Sequence, residues 1–228
     1  MSETGPQAPW HRRVAATIPM HPYLKGVGTT VFISLFFVAY FYVLKHPAST
    51  PTVMPAIWLD RAIGFQPLAL PIYLSLWLYV SALPAFFAAR AELYRYGLAM
   101  MAMCVTGLGI FYFWPTAAPA PDIDWSRYPD MDFLKNIDAA GNACPSLHVA
   151  TALFSAIWFH HLMRRFGAPP WILAINWGWC AAIVYSTVAI RQHVAVDALA
   201  GIVLGGVAAW LSLPGRAGPP LDVSRSRP

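Results

Sequence analysis

Arg191-Gln192-His193-Val194-Ala195-Val196-Asp197 sets a histidine and an aspartate four residues apart. On a helix that spacing puts both on one face, where the carboxylate can accept the proton of one imidazole nitrogen and leave the other free. This is the arrangement of an oriented nucleophile or base; a structural ion pair, or a His and Asp at a water boundary, would use the same spacing. A second segment, Asn142-Ala143-Cys144-Pro145-Ser146-Leu147-His148, has the marks of a helix start. Pro145 suits a first helical turn and Ser146 offers a hydroxyl beside free backbone donors, although alone it reads equally well as an ordinary cap. Together the segments supply two histidines, an aspartate, a serine and Arg191, whose guanidinium fork suits phosphate. Phosphoryl transfer asks for positioned and neutralised oxygens, a nucleophile and an acid for the leaving group. These residue types meet that need with neither metal nor cofactor.

The elements that must position them are membrane helices. Of the 228 residues 58% are hydrophobic and 11% charged, against a charged share of roughly a quarter in soluble domains. A crossing helix needs about 17 to 25 mostly apolar residues. Six stretches qualify or come close: Val27 to Leu44, Leu68 to Ala89, Tyr96 to Trp114, Leu147 to Met163, Trp171 to Ile190 and Val194 to Leu213. The expected fold is therefore all-α, a polytopic six-helix membrane bundle. Residues 1–26 are expected to form an amino-terminal cytoplasmic segment, 27–213 the membrane domain and 214–228 a disordered cytoplasmic tail rich in Pro, Gly, Ser and Arg. No apolar core of a cleavable signal precedes the first span, which is expected to stay as an anchor.

Six crossings put both termini on one side. Arg12, Arg13, Lys25, Arg90, Arg95, Arg164, Arg165, Arg216, Arg225 and Arg227 fall on that side; Lys45, Arg61, Arg127, Lys135 and Arg191 fall on the other. Positive-inside bias makes the termini cytoplasmic and the chemistry-bearing segments non-cytoplasmic, in an inner or plasma membrane of bacterial type. Topology thus accounts for the net charge of +5, and nucleic acid is not needed as a partner. The fourth and sixth spans both start at the outer face, so their amino termini, each a ready anion site, lie in one compartment.

Other features have plainer readings. Cys104, Cys144 and Cys180 are an odd set without metal spacing. The outer-loop carboxylates Asp122, Asp124, Asp130, Asp132 and Asp138 lack the spacing of a calcium loop. Trp10, Trp58, Trp114, Trp125 and Trp171 fit interfacial belts, and His160 and His161 an inner interface. Gly201, Gly205 and Gly206 would let the last helix pack closely.

Cys144-Pro145-Ser146-Leu147-His148-Val149-Ala150, then Ser186-Thr187, then His193-Val194-Ala195-Val196-Asp197, resemble the second and third signatures of the type 2 phosphatidic acid phosphatase superfamily. Leucine between Ser146 and His148 resembles the branch that includes inositol phosphorylceramide synthases. Weaker echoes are Asp60 to Tyr73 and Pro115 to Pro119. The resemblance implies that His193 attacks phosphorus and becomes a phosphohistidine, that Asp197 orients it, and that His148 protonates the leaving alcohol. It also implies that Ser146 and neighbouring backbone N–H groups, that of Leu147 among them, bind phosphate oxygens. The family's first basic signature has no match, since Phe111 to Pro121 holds no basic residue, and Thr187 stands where an Arg is expected. Arg191 is the candidate replacement, with Arg127 and Lys135 as auxiliaries.

The expected activity is hydrolysis of a lipid phosphate through a phosphohistidine. One alternative is transfer of a phospho-headgroup to a lipid alcohol, as in inositol phosphorylceramide or sphingomyelin synthases. Another is a membrane transport or binding protein with a His/Asp proton relay. The motifs do not choose among lipid substrates, and nothing in them bears on oligomeric state.

Overall fold

The computed structural model describes residues 8–120, 122–128 and 141–214. Among them are eight α-helices: α1 Trp10–Thr17, α2 Pro22–Lys45, α3 Trp58–Ile63, α4 Leu70–Ala82, α5 Arg90–Phe113, α6 Leu147–Phe166, α7 Pro170–Ala189 and α8 Ala195–Ser212. Short 3-10 turns extend α4 at both ends, giving a rod from Pro67 to Phe86. Five rods are long and apolar enough to cross a membrane: Pro22–Lys45, Pro67–Phe86, Arg90–Phe113, Pro170–Ala189 and Ala195–Ser212. The protein is a helical membrane protein.

The remaining long helix, α6, corresponds to the expected fourth span but is not among these five, and its place explains why. It is the axis of the bundle, with Val149, Ala150, Ala152, Phe154, Ala156, Trp158, Leu162 and Phe166 fully buried. Around it Phe87, Tyr96 and Phe111 join Ala150, Phe154, Trp158, Leu162, Met163 and Phe166 in one core cluster. A helix wrapped by other helices need not be apolar toward lipid, so it tolerates His160, His161, Arg164 and Arg165 near its end. Its stop is a glycine cap: Gly167 has φ +73°, and the N–H groups of Gly167 and Ala168 return to Arg164 O and Met163 O at 3.0 and 2.9 Å. Pro169 and Pro170 then launch α7, where a missing N–H costs little.

Rods consecutive in the chain alternate in direction. At one end, Lys25 Nζ donates to Thr17 O at 2.6 Å and to Ala85 O at 2.9 Å, tying α1 and α2 to the end of the α4 rod. Arg165 pairs with Glu92 there, and Arg13 reaches Phe166 O. The amino-terminal segment therefore carries a helix that the sequence did not announce. At the other end, a two-stranded parallel sheet, β1 Thr52–Val53 with β2 Thr116–Ala117, pairs Thr52 with Thr116 and Val53 with Ala117. This sheet anchors the approach to α6. Ala143 N–H donates to Thr116 O at 3.2 Å, Cys144 N–H to Thr116 Oγ1 at 2.8 Å, and Asn142 Nδ2 to Tyr40 O at 3.3 Å.

Helices α6 and α8 run the same way and touch backbone to backbone. A Cβ on Gly201 would lie 2.4 Å from Ser146 O, and one on Gly205 2.4 Å from Ala150 O. Such a small-residue seam lets two membrane helices approach to the limit set by their main chains. Gly206 is not part of it, since a Cβ there would make an ordinary 3.9 Å contact with Leu153.

Candidate active site

The seam brings the two starting turns together. Ser146 N–H donates to Asp197 O at 3.0 Å, across the gap between the two helix starts. His148, in the first turn of α6, and His193, just before α8, then face one another, with His148 Nδ1 3.4 Å from His193 Nε2. Behind His193, Nδ1 lies 3.7 Å from Asp197 Oδ2, an ion-pair contact wider than a hydrogen bond. Both side chains are almost completely buried, at 5% and 0% exposure. His193 stands two residues before the helix that holds Asp197, so the pair meets across the helix start and not on one helical face.

Behind His148 stands a residue that motif reading left aside. Tyr73 Oη is 2.7 Å from His148 Nε2, and the two rings stack at 4.8 Å. As imidazolium, His148 would donate Nε2–H to the phenol oxygen and carry its second proton on Nδ1, toward His193. The four groups then form a row in file, Tyr73, His148, His193, Asp197.

Asp60 is the second such residue. Fully buried, it accepts Ile57 N–H at 2.7 Å, capping its own helix, and Ala195 N–H at 2.7 Å, capping α8. Asp197 Oδ2 takes the Val194 N–H at 3.0 Å. Two carboxylates therefore already occupy the start of α8. This revises the picture of two open helix termini side by side, leaving the start of α6 as the one toward which an anion can turn.

At that start Ser146 is the cap, with Oγ accepting Val149 N–H at 3.3 Å and no exposed surface. Pro145 lies one residue outside the helix instead of in its first turn. Leu147 turns its side chain into the core, where it lies against Gly107, so only its main chain can serve an anion. Next to the cap, burial and then the negative charge of Asp197 push the Cys144 thiol up to about 11.

The expected basic residues are less concentrated. Arg191 occupies the α7–α8 turn at φ +64°, partly exposed; its main-chain N–H donates to Val188 O at 3.0 Å, and its side chain makes no hydrogen bond or ion pair among the described residues. Arg127 is exposed and pairs with Asp124 at 3.3 Å. Lys135 lies outside the described residues, as do Asp130, Asp132 and Asp138. Thr187, at the position where an Arg was expected, is fully buried and returns its hydroxyl to Val184 O at 2.8 Å, while its carbonyl accepts His193 N–H at 3.1 Å. That site has no outlet for a guanidinium. Among the described residues no group of His, Cys, Asp and Glu is arranged to hold a metal ion.

The family model described as PAP2 superfamily matches residues 92–217, more than half the chain and all of α6, α7 and α8. The chain belongs to the PAP2 superfamily. Members of the PAP2 superfamily are generally phosphatases or phosphotransferases. No curated protein and no solved structure matches the chain. The PAP2 match contains both histidines and Asp197 and stops short of Asp60 and Tyr73, which come from helices that precede it. No motif signal marks these two beyond the weak echo between Asp60 and Tyr73.

Proposed function

We propose that the protein is a membrane lipid phosphatase in which His193 is the nucleophile and His148 the general acid and base. The observation that carries this reading is the opposition of His193 Nε2 and His148 Nδ1 at 3.4 Å, with Asp197 behind one ring and Tyr73 behind the other. A phosphoryl group entering between the rings, which must part to admit it, meets a lone pair on one side and a proton on the other. That is the alignment of an in-line displacement.

In the first step His193 Nε2 bonds to phosphorus, the ester P–O bond breaks, and the leaving oxygen takes the Nδ1 proton of His148, which enters as imidazolium and becomes a neutral imidazole. The phosphorylated imidazole is cationic while Nδ1 keeps its proton, and Asp197 Oδ2 at 3.7 Å is placed to close on it. In the second step His148, now a base, takes a proton from water as the water oxygen bonds to phosphorus; the P–N bond breaks and phosphate leaves. The donors at the start of α6, from Ser146 and Leu147 onward, would bind the equatorial oxygens, with Arg191, and at greater range Arg127 and Lys135, neutralising their charge. We place the site on the non-cytoplasmic face, with α6 as a sixth crossing and both termini in the cytoplasm, because basic residues concentrate at the opposite end of the bundle.

Transfer to a lipid alcohol uses the same first step, with an alcohol replacing water in the second, as the likeness of Pro145-Ser146-Leu147-His148 to the synthase branch suggests. Purified protein given a panel of lipid phosphates, with and without alcohol acceptors, separates the two by phosphate release against new lipid product. Rapid quenching under alkaline denaturing conditions, which preserve a phosphoramidate, should leave the label on His193. Label on any other residue removes His193 as nucleophile, and unchanged turnover in His193→Ala removes the enzyme reading in favour of a proton relay.

A further inference from the structure

An apolar cavity of about 390 Å³ opens sideways between α2, α4, α5 and α6. His148 and Tyr73 lie in its wall at the active-site end; Phe36, Trp77, Val80 and Met100 carry the wall onward to Ser81. Along α4 the step from Tyr73 to Ser81 spans about 12 Å at the helical rise. Thr151, also in the wall, turns its hydroxyl back to Leu147 O at 2.8 Å, so this side offers hydrocarbon. A second apolar cavity of about 270 Å³ shares Phe32, Ile33, Val80 and Met100 with the first and continues away from the site.

We propose that this groove receives one hydrocarbon chain of the lipid phosphate, alkyl or isoprenyl, laid along α4 with its phosphate end at the histidine pair. The proposal rests on the phosphatase reading and adds the substrate's shape. An apolar cavity of roughly 150 Å³ accepts benzene, so by that scale the first cavity takes about fifteen carbons, one chain and not two side by side. The shared neck lets a longer chain continue toward the opposite face.

Lipid tails in the bilayer are as apolar as the groove, so seating a chain there gains little by leaving hydrocarbon. What it gains is position, because a chain held along α4 delivers its phosphate to His193 instead of to the general membrane surface. The groove is therefore read best through chain length and not through affinity alone.

Val80→Trp fills the neck, and Leu78→Trp, on the exposed side of the same helix, is its control. Phosphate release from octyl and hexadecyl phosphate is measured in mixed micelles, with folding followed by circular dichroism and elution volume. Val80→Trp should lower turnover of hexadecyl phosphate about tenfold, as overpacking of 1–3 kcal/mol implies, and that of octyl phosphate much less. Leu78→Trp should alter neither. Equal losses on both chains, or no loss on either in folded Val80→Trp, overturn the proposal.

A non-hydrolysable hexadecyl phosphonate carrying a terminal diazirine tests the groove without turnover. Crosslinks should map to groove residues of α2, α4 and α5 and fall in Val80→Trp. Crosslinks spread evenly over lipid-facing residues such as Leu35 and Val203 overturn it. If wild-type protein releases no phosphate from any lipid while the crosslinks map to the groove, the phosphatase reading fails and the chain site stands.

Discussion

At the scale of single residues, the row through Tyr73, His148, His193 and Asp197 assigns separate tasks to groups of similar chemistry. Tyr73→Phe keeps the ring stack on His148 and removes only the hydroxyl that partners Nε2. A net hydrogen bond of about 1 kcal/mol predicts a fall in kcat of roughly 5- to 10-fold with KM little changed. It also predicts that the limb of the pH profile belonging to His148 moves, which simple loss of packing would not cause; phosphate release measured across pH checks both. Asp60→Asn sets an NH2 against one of two N–H donors, Ile57 or Ala195, and should cost about 1–3 kcal/mol of stability, read as a lower unfolding midpoint in detergent. The His193–Asp197 pair was legible because four-residue spacing is local. Tyr73 and Asp60 were not, because they reach their partners across 75 and 135 positions, and only folding brings those together.

At the scale of elements, the seam between α6 and α8 sets the separation of the two histidines. Gly201→Ala would drive a methyl into Ser146 O at 2.4 Å, main chain that cannot turn aside. The helices must part, and an overpacking cost of about 1–3 kcal/mol is expected, together with a fall in phosphate release of more than about tenfold, since an ångström of misplacement is worth more than that. Gly206→Ala, with only a 3.9 Å neighbour, should leave both measurements near wild type. The long helices were legible as apolar runs, with ends off by a few residues; α2 begins at Pro22 instead of Val27 and α5 at Arg90 instead of Tyr96. The short α1 was not, because Trp10–Thr17 has too few apolar residues to show a membrane signal and is held by Arg13 on Phe166 O and Lys25 on Thr17 O.

At the scale of the whole molecule, the described ends of the bundle differ in charge and in work. One carries Arg12, Arg13, Lys25, Arg90, Arg95, Arg164 and Arg165; the other carries the sheet, α3, His148 and His193. With Cys104 and Cys180 buried and the Cys144 thiol pushed up to about 11, the native cysteines should react slowly with maleimides near neutral pH. An exposed reporter therefore stands out. In intact cells an impermeant maleimide should label Asp122→Cys and spare Arg12→Cys until the membrane is opened; the reverse pattern overturns the orientation. The sequence carried the membrane class and the alternating charge, but not the central position of α6, whose polar end made it the weakest span by composition and the most enclosed helix in the fold.

Helix α2 has only Lys25, Tyr40 and Val43 buried among its 24 residues, so the rest of the chain leaves most of it uncovered. Substitutions on such a helix escape the usual penalty of a damaged core. Its groove-facing positions should therefore accept substitutions of similar size with little loss of fold, while changes in the histidine row cost the chemistry. New lipid preferences can arise in that half of the chain by small steps, none of which has to unmake the chemistry first.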